Sequence, residues 1–143
     1  MLGSLAEVRC GGAVVDAAIE VHRELGPGLL EGVYVECLTD ALARRHRTVR
    51  REVVCPVTYR GRTFDRAYRL DMIVDDLVVV EVKSVREVTR VHAAQLLSYL
   101  KLSGFRVGLL LNFNCILMKH GIVRRYNFDA DRHLLRQSSA SPC

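Results

Sequence analysis

The sequence predicts an α/β domain in which a central mixed β-sheet is flanked by helices. Two amphipathic helical stripes precede a series of strand-like segments rich in Val, Thr and Tyr. The segment 77–82 is almost wholly apolar, which is typical of a strand buried on both faces. A third helical stripe separates it from another apolar segment, 106–113, as a crossover helix does between sheet strands. With 143 residues, we expect one domain over residues 1–143 and a frayed Ser-rich tail from about residue 137.

Three helices are predicted from the spacing of apolar residues. Residues 12–25 carry apolar side chains at helical intervals, and the segment Gly26-Pro27-Gly28 ends the pattern. A second stripe runs from residue 30 to about residue 45 in steps of three and four. The third spans about residues 91–102 and stops before Gly104.

Five strands complete the predicted order α-α-β-β-β-α-β-β. Residues 49–60 and 62–74, with Gly61 between them, favour a β-hairpin. The apolar segments 77–82 and 106–113 are the predicted central strands. Residues 115–127 are the predicted last strand, with Gly121 as a turn or bulge.

Composition excludes several classes of protein. No apolar run approaches the roughly 18 residues that a membrane helix needs, so we expect no membrane partner. Residues 1–10 lack the apolar stretch of a secretory signal, and we therefore expect a cytoplasmic protein. The five cysteines form no pair at zinc-ligand spacing, and we expect them to be reduced.

Asp71, Glu81 and Lys83 are the polar residues that stand out in the predicted sheet. Because side chains alternate along a strand, Glu81 and Lys83 share one face and the neighbouring valines share the other. A two-residue turn at Asp75-Asp76 would leave Asp71 and Glu81 on opposite faces, whereas a three-residue turn or one bulge pairs them. We predict the pairing that brings the two carboxylates together.

Two adjacent carboxylates favour a bound divalent cation, because the cation removes their mutual repulsion. Asp and Glu oxygens without nearby His or Cys suit Mg²⁺ or Mn²⁺. Lys83 can then orient an attacking water or stabilise charge on a phosphorus centre. The competing interpretation is a structural ion pair of Glu81 with Lys83 or with an arginine.

The order Asp71, then Glu81-Val82-Lys83, resembles the signature of the PD-(D/E)XK nuclease superfamily. Residues 28–34, Gly-Leu-Leu-Glu-Gly-Val-Tyr, match the motif of its GxxExxY family. The resemblance extends over nearly the whole chain, although Leu70 stands where the superfamily name has proline. It implies a restriction-endonuclease-like core and a metal-dependent nuclease of DNA or RNA.

The resemblance also implies roles for individual residues. Asp71, Glu81 and the backbone carbonyl of Val82 would bind Mg²⁺ or Mn²⁺, and Lys83 would be the catalytic lysine. Glu31 would be a third metal-binding acid, with Glu20 as the alternative. Glu31 could equally be an acid that only compensates the charge of its helix N-terminus.

The third helix adds a second pair of candidates. Gln95 and Tyr99 lie four residues apart, on one helical face. The pair resembles a further motif of several superfamily members. It implies that Gln95 contacts a phosphate or a water in the catalytic site and that Tyr99 binds nucleic acid.

The chain has a formal net charge of +5, and a dense run of arginines suits phosphate binding. This run is either a nucleic-acid contact or a solvated helix end; its members are Arg44, Arg45, Arg47, Arg50 and Arg51. The favoured function is a metal-dependent nuclease, which could act as a homodimer. The alternative is a catalytically silent module of the same fold that binds nucleic acid or a protein partner.

Overall fold

A computed structural model describes residues 3–130, and the tail from residue 137 lies outside this range. The elements follow the predicted order. They are α1 (Leu5–Leu25), α2 (Glu31–Arg44), β1 (Val49–Tyr59), β2 (Arg62–Val74), β3 (Val78–Lys83), α3 (Arg90–Ser103), β4 (Val107–Asn112) and β5 (Ile122–Tyr126), with a short 3-10 helix at Met118–Gly121. No helix within the described range is long and apolar enough to span a bilayer.

The five strands form one mixed sheet in the order β1-β2-β3-β4-β5. Strands β3 and β4 are parallel and α3 connects them, while every other neighbouring pair is antiparallel. The predicted α/β fold with a mixed sheet is therefore confirmed. The two parallel strands lie innermost and are almost fully buried, as their continuous apolar sequences indicate.

Helices cover both faces of the sheet. One face packs against α1 and α2 in the larger hydrophobic core, to which Val80, Val82 and Leu109 contribute. The opposite face packs against α3 in a smaller core that contains Val79, Leu100 and others. Odd-numbered side chains of β3, which include Glu81, therefore point toward α3.

The β1–β2 hairpin extends well beyond the rest of the sheet. Strand β2 has thirteen residues, yet its ladder with β3 begins only at Met72. The outer part of the hairpin, residues 56–67, is exposed except for the half-buried Val57. We call this segment the arm.

Helix α1 begins earlier than residue 12, where the sequence analysis placed its start. Ser4 and Glu7 form a capping box, in which each side chain accepts a hydrogen bond from the backbone N–H of the other residue. Gly11 and Gly12 lie inside the helix, with open space beside them. The predicted start was wrong because apolar spacing alone does not mark a helix N-terminus, whereas the Ser-x-x-Glu capping signal does.

The last strand is shorter than the predicted segment 115–127. Strand β5 begins at Ile122, after the short 3-10 helix. Asn112 accounts for part of this change, because its side-chain oxygen accepts a hydrogen bond from the Asn114 N–H and turns the chain after β4. Gly121 lies so close to Asn112 that a Cβ there would be 2.1 Å from the Asn112 carbonyl oxygen.

The expectation that all five cysteines are reduced is wrong for Cys55, which is disulfide-bonded. Cys10, Cys37 and Cys115 are free. The expectation rested on the lack of closely spaced pairs, and sequence spacing does not identify cysteines that the fold brings together.

Candidate active site

The turn between β2 and β3 sets the register of the two candidate acids. Val74 pairs with Val78, which leaves three residues in the connection. Asp75 and Asp76 both adopt positive φ angles, 55° and 53°, and the Leu77 N–H donates to the Val74 carbonyl at 3.0 Å. The predicted three-residue connection is present, and this register directs Asp71 toward Glu81.

Asp71 and Glu81 interlock at the point where the ladder between β2 and β3 ends. The Asp71 backbone N–H donates to Glu81 Oε1 at 3.1 Å. The Val82 backbone N–H donates to Asp71 Oδ2 at 2.9 Å. Each carboxylate thus accepts a hydrogen bond from a backbone N–H of the opposite strand. These two bonds replace the next backbone bonds of the ladder and hold both side chains in position.

Glu81 is the more buried of the two acids, with 5% of its surface exposed, whereas Asp71 is half-buried. Burial and then the charge of Asp71 raise the pKa of Glu81 to about 8, and the Lys83 charge acts in the opposite direction. An acid in this state is neutral near pH 7 unless a cation approaches. Ionisation of Glu81 beside Asp71 is therefore unfavourable in the absence of a cation.

Lys83 is the last residue of β3, two positions after Glu81, and is half-buried. Alternation along the strand places its side chain on the same face as that of Glu81. Asn112 holds the chain just after Lys83 in place, because the Asn112 side chain forms two hydrogen bonds with the Val85 backbone, each 3.0 Å long. The sequence analysis did not identify Asn112, whose only signal was its polarity at the end of an apolar strand.

Tyr99 of α3 lies on the sheet face toward which Glu81 points. Burial raises the pKa of Tyr99, and the charges of Glu81 and Asp71 raise it further. Its ring stacks on that of Tyr68 from β2, with centroids 4.9 Å apart. Gln95, one helical turn earlier, is exposed. The sequence analysis missed Tyr68, although an aromatic residue three positions before Asp71 was a usable signal.

Comparison with known protein families decides the relationship. A family model of the PD-(D/E)XK nuclease superfamily matches residues 9–125. The chain belongs to this superfamily. Its five-stranded mixed sheet with three described helices is consistent with the restriction-endonuclease-like fold. No curated protein and no solved structure gives a significant match.

The GxxExxY segment of this PD-(D/E)XK domain lies beside the end of β3. Gly28 has a φ of 94°, which favours glycine, in the loop between α1 and α2. The Tyr34 hydroxyl donates to the Gly26 carbonyl at 2.6 Å, and its ring stacks on Phe113. The Ser84 hydroxyl, next to Lys83, donates to the Leu29 carbonyl at 2.6 Å. These contacts hold the start of α2 close to the candidate site.

Glu31 itself is exposed at the first position of α2. Residues 3–130 of this PD-(D/E)XK domain contain no group of three His, Cys, Asp or Glu side chains arranged to hold a metal ion. Glu20, the alternative third acid, is bound to Arg45 at 2.9 Å and to Arg44 at 3.7 Å.

Every member of the arginine run in the PD-(D/E)XK domain has an acidic partner. Arg47 and Arg50 bind Asp75 and Asp76 in the β2–β3 turn. This turn precedes β3, whereas Glu81 and Lys83 lie near its other end. The remaining pairs of the run are Arg44 with Asp40 and Glu20, Arg45 with Glu20, and Arg51 with Glu36.

Proposed function

We propose that this protein is a divalent-metal-dependent nuclease of the GxxExxY type, which hydrolyses phosphodiester bonds in DNA or RNA. The observation that carries the proposal is the interlocked pair of Asp71 and Glu81, with Lys83 on the same face at the end of β3. A pair of carboxylates that share one site and lie beside a lysine is suited to phosphodiester chemistry. The alternative of a catalytically silent module would not need this pair.

The donor set of the pair fits a hard cation. Asp71 and Glu81 offer carboxylate oxygens, and Mg²⁺ is commonly held by one or two carboxylates with water completing its shell. A cation would offset the repulsion that raises the pKa of Glu81. The Val82 carbonyl is the proposed third ligand, and Glu31 is the proposed additional acid. A divalent ion bound there supplies positive charge that polarises a phosphoryl oxygen.

The remaining side chains have distinct proposed roles. The Lys83 ammonium donates hydrogen bonds to the attacking water or to a phosphate oxygen, and so stabilises the negative charge that develops during attack. The Gln95 amide, exposed on α3, donates to a phosphate or a water at the rim of the site. Tyr99 covers the carboxylates and excludes bulk water from one side, which strengthens the electrostatic interactions there.

Cleavage of labelled single- and double-stranded DNA and RNA with Mg²⁺ or Mn²⁺ tests the proposal. We expect wild-type cleavage to require the metal, and Glu81→Gln and Lys83→Ala each to lower the rate by roughly 100-fold or more. Glu87→Gln and Lys101→Ala are matched controls, because both residues are exposed and lie outside the proposed site. Both controls should cleave as the wild type does.

The same assay separates the remaining alternatives. Folded wild-type protein that binds nucleic acid but cleaves none of the four substrates would contradict the nuclease and favour the binding module. Glu31→Gln and Glu20→Gln distinguish the two proposed third acids, since loss of metal-dependent cleavage identifies the one that contributes. The cytoplasmic location and the homodimer stay predictions.

A further inference from the structure

Two aromatic rings on the arm are exposed to solvent. Tyr59 is 63% exposed and Phe64 is 44% exposed. An arginine lies over each ring, with Arg60 5.4 Å from the Tyr59 centroid and Arg62 4.8 Å from that of Phe64. Rings this exposed leave much of their apolar surface in contact with water, which limits what they add to the stability of the fold. Their exposure suits a surface that contacts a ligand.

The register of the hairpin aligns these residues on one face. Tyr59 pairs with Arg62 and Val57 pairs with Phe64, and directly paired residues of antiparallel strands point to the same face. Strand β1 carries Cys55 two positions before Val57, and Cys55 pairs with Tyr68. The register shifts between these two pairs, so that the four residue steps of β2 from Phe64 to Tyr68 lie opposite two of β1, and Tyr68 marks the base of the arm.

The base of the arm lies close to the carboxylate pair. Tyr68 stacks on Tyr99 of α3, the helix that covers the sheet face toward which Glu81 points. Asp71 is three residues beyond Tyr68 on the same strand. Aromatic residues are therefore present both at the tip of the arm and at its base, beside the candidate active site.

The charge of the arm is also positive. Residues 56–67 contain three arginines, Arg60, Arg62 and Arg66, and one acid, Asp65. Within residues 3–130, none of these three arginines forms an ion pair with a carboxylate, in contrast to the run from Arg44 to Arg51. The arm thus offers cationic groups that a phosphate backbone can bind without displacing a protein carboxylate.

We propose that the arm binds single-stranded nucleic acid, with Tyr59 and Phe64 stacking on unpaired bases and with Arg60 and Arg62 contacting phosphates. This inference rests on the proposed nuclease function and names its substrate class. Aromatic stacking requires a free base face, which a single strand offers and an intact duplex conceals. The bound strand extends from the arm past Tyr68 and places a phosphate next to Asp71 and Glu81.

Binding in EDTA tests the arm without relying on cleavage. The probes are a fluorescently labelled single-stranded oligonucleotide and the duplex of the same sequence, measured by anisotropy. We expect wild-type protein to prefer the single strand, and Tyr59→Ala/Phe64→Ala to bind it at least about tenfold more weakly. Phe128→Ala is the matched control, since Phe128 is 79% exposed but lies outside the arm, and its affinity should equal that of the wild type.

The salt dependence of binding separates stacking from phosphate contacts. Arg60→Gln/Arg62→Gln should reduce the slope of log affinity against log salt by about 1.4, because each phosphate contact on a single strand contributes about 0.7. Tyr59→Ala/Phe64→Ala should lower the affinity and leave the slope unchanged. Arg9→Gln, which removes an exposed arginine of α1 outside the arm and the proposed site, should change neither.

The outcomes distinguish this inference from the proposed function. Weaker binding by the arm variants supports the proposed binding role of the arm even if the wild type cleaves nothing. Absence of wild-type cleavage would overturn only the catalytic proposal. If both double variants bind with wild-type affinity, and circular dichroism shows that they are folded, the proposed binding role of the arm is overturned even if the enzyme cleaves. Equal affinity for duplex and single strand, or loss of a protein dimer in the arm variants without loss of binding, also overturns it.

Discussion

Glu81 is held in an environment that disfavours its ionised form. Its side chain is nearly buried, it lies against Asp71, and its pKa is raised from 4.5 to about 8. Between these two pH values the folded protein retains a proton that the unfolded chain releases. The free energy of unfolding therefore decreases as the pH rises through this window, by at most about 1.4 kcal/mol per pH unit from this group.

Glu81→Gln should remove this pH dependence. In EDTA, we expect the variant to gain stability over the wild type progressively between about pH 5 and pH 8, and to match it most closely near pH 5, where Glu81 is neutral. Urea unfolding at a series of pH values measures the difference. Glu87→Gln, an exposed control, should follow the wild-type curve. Parallel curves for Glu81→Gln and wild type would contradict the raised pKa.

A divalent cation should act on the same residue in the opposite direction. If Asp71 and Glu81 hold Mn²⁺, the ion stabilises their ionised forms, and the melting temperature of the wild type should rise with Mn²⁺ more at pH 8 than at pH 5. Differential scanning fluorimetry measures this shift, and Glu81→Gln and Asp71→Asn should largely lose it. An equal rise in Lys101→Ala and in the two acid variants would indicate binding elsewhere.

At the scale of single residues, the sequence predicts the centre of the site better than its periphery. Strand alternation and a three-residue connection are enough to place Asp71 beside Glu81, because both are local rules. The partners of Arg47 and Arg50 depend on contacts with residues 28 and 26 positions away, which local patterns do not specify. The acidic partners of the arginine run therefore could not be predicted from the sequence.

Substitutions of two glycines, one with open space around it and one in close contact with the backbone, should have opposite effects on stability. Gly12 lies in α1 with open space around it, so Gly12→Ala should stabilise the protein by about 0.5–1 kcal/mol through better helix propensity. Gly121 precedes β5, and a Cβ there would overlap the Asn112 carbonyl, so Gly121→Ala should destabilise by about 1–3 kcal/mol. Denaturant unfolding of the two variants measures both effects, and equal effects of the same sign would contradict these packing arguments.

Elements with a strong internal pattern were predicted well, and elements fixed by contacts elsewhere were not. The helix α3 and the strands β3 and β4 lie within one residue of their predicted bounds, since each has an uninterrupted apolar pattern. The start of β5 is set by the turn after Asn112 and by the close approach of Gly121 to it. This approach joins separate parts of the chain and leaves no periodic signal.

Different parts of the molecule should differ in how readily they unfold locally. Strands β3 and β4 are the innermost of the sheet and are buried along almost their entire length, whereas the arm is a two-stranded ribbon exposed on both faces. We expect the amides of β3 and β4 to exchange hydrogen only through global unfolding, and those near Gly61 to exchange through local opening. Hydrogen–deuterium exchange measured by NMR tests this order. Equal protection at the tip and in β3 would contradict it.

The three-residue connection at Asp75-Asp76 has a consequence for how the protein can diversify. It fixes the alignment of Asp71 with Glu81 from one end of β2, while the loop at Gly61 closes the other end. Adding or removing matched residue pairs near Gly61 would alter the reach of the hairpin and leave that alignment intact. The arm can therefore change in length or sequence, in evolution or by engineering, and so alter ligand preference while Asp71 and Glu81 stay aligned.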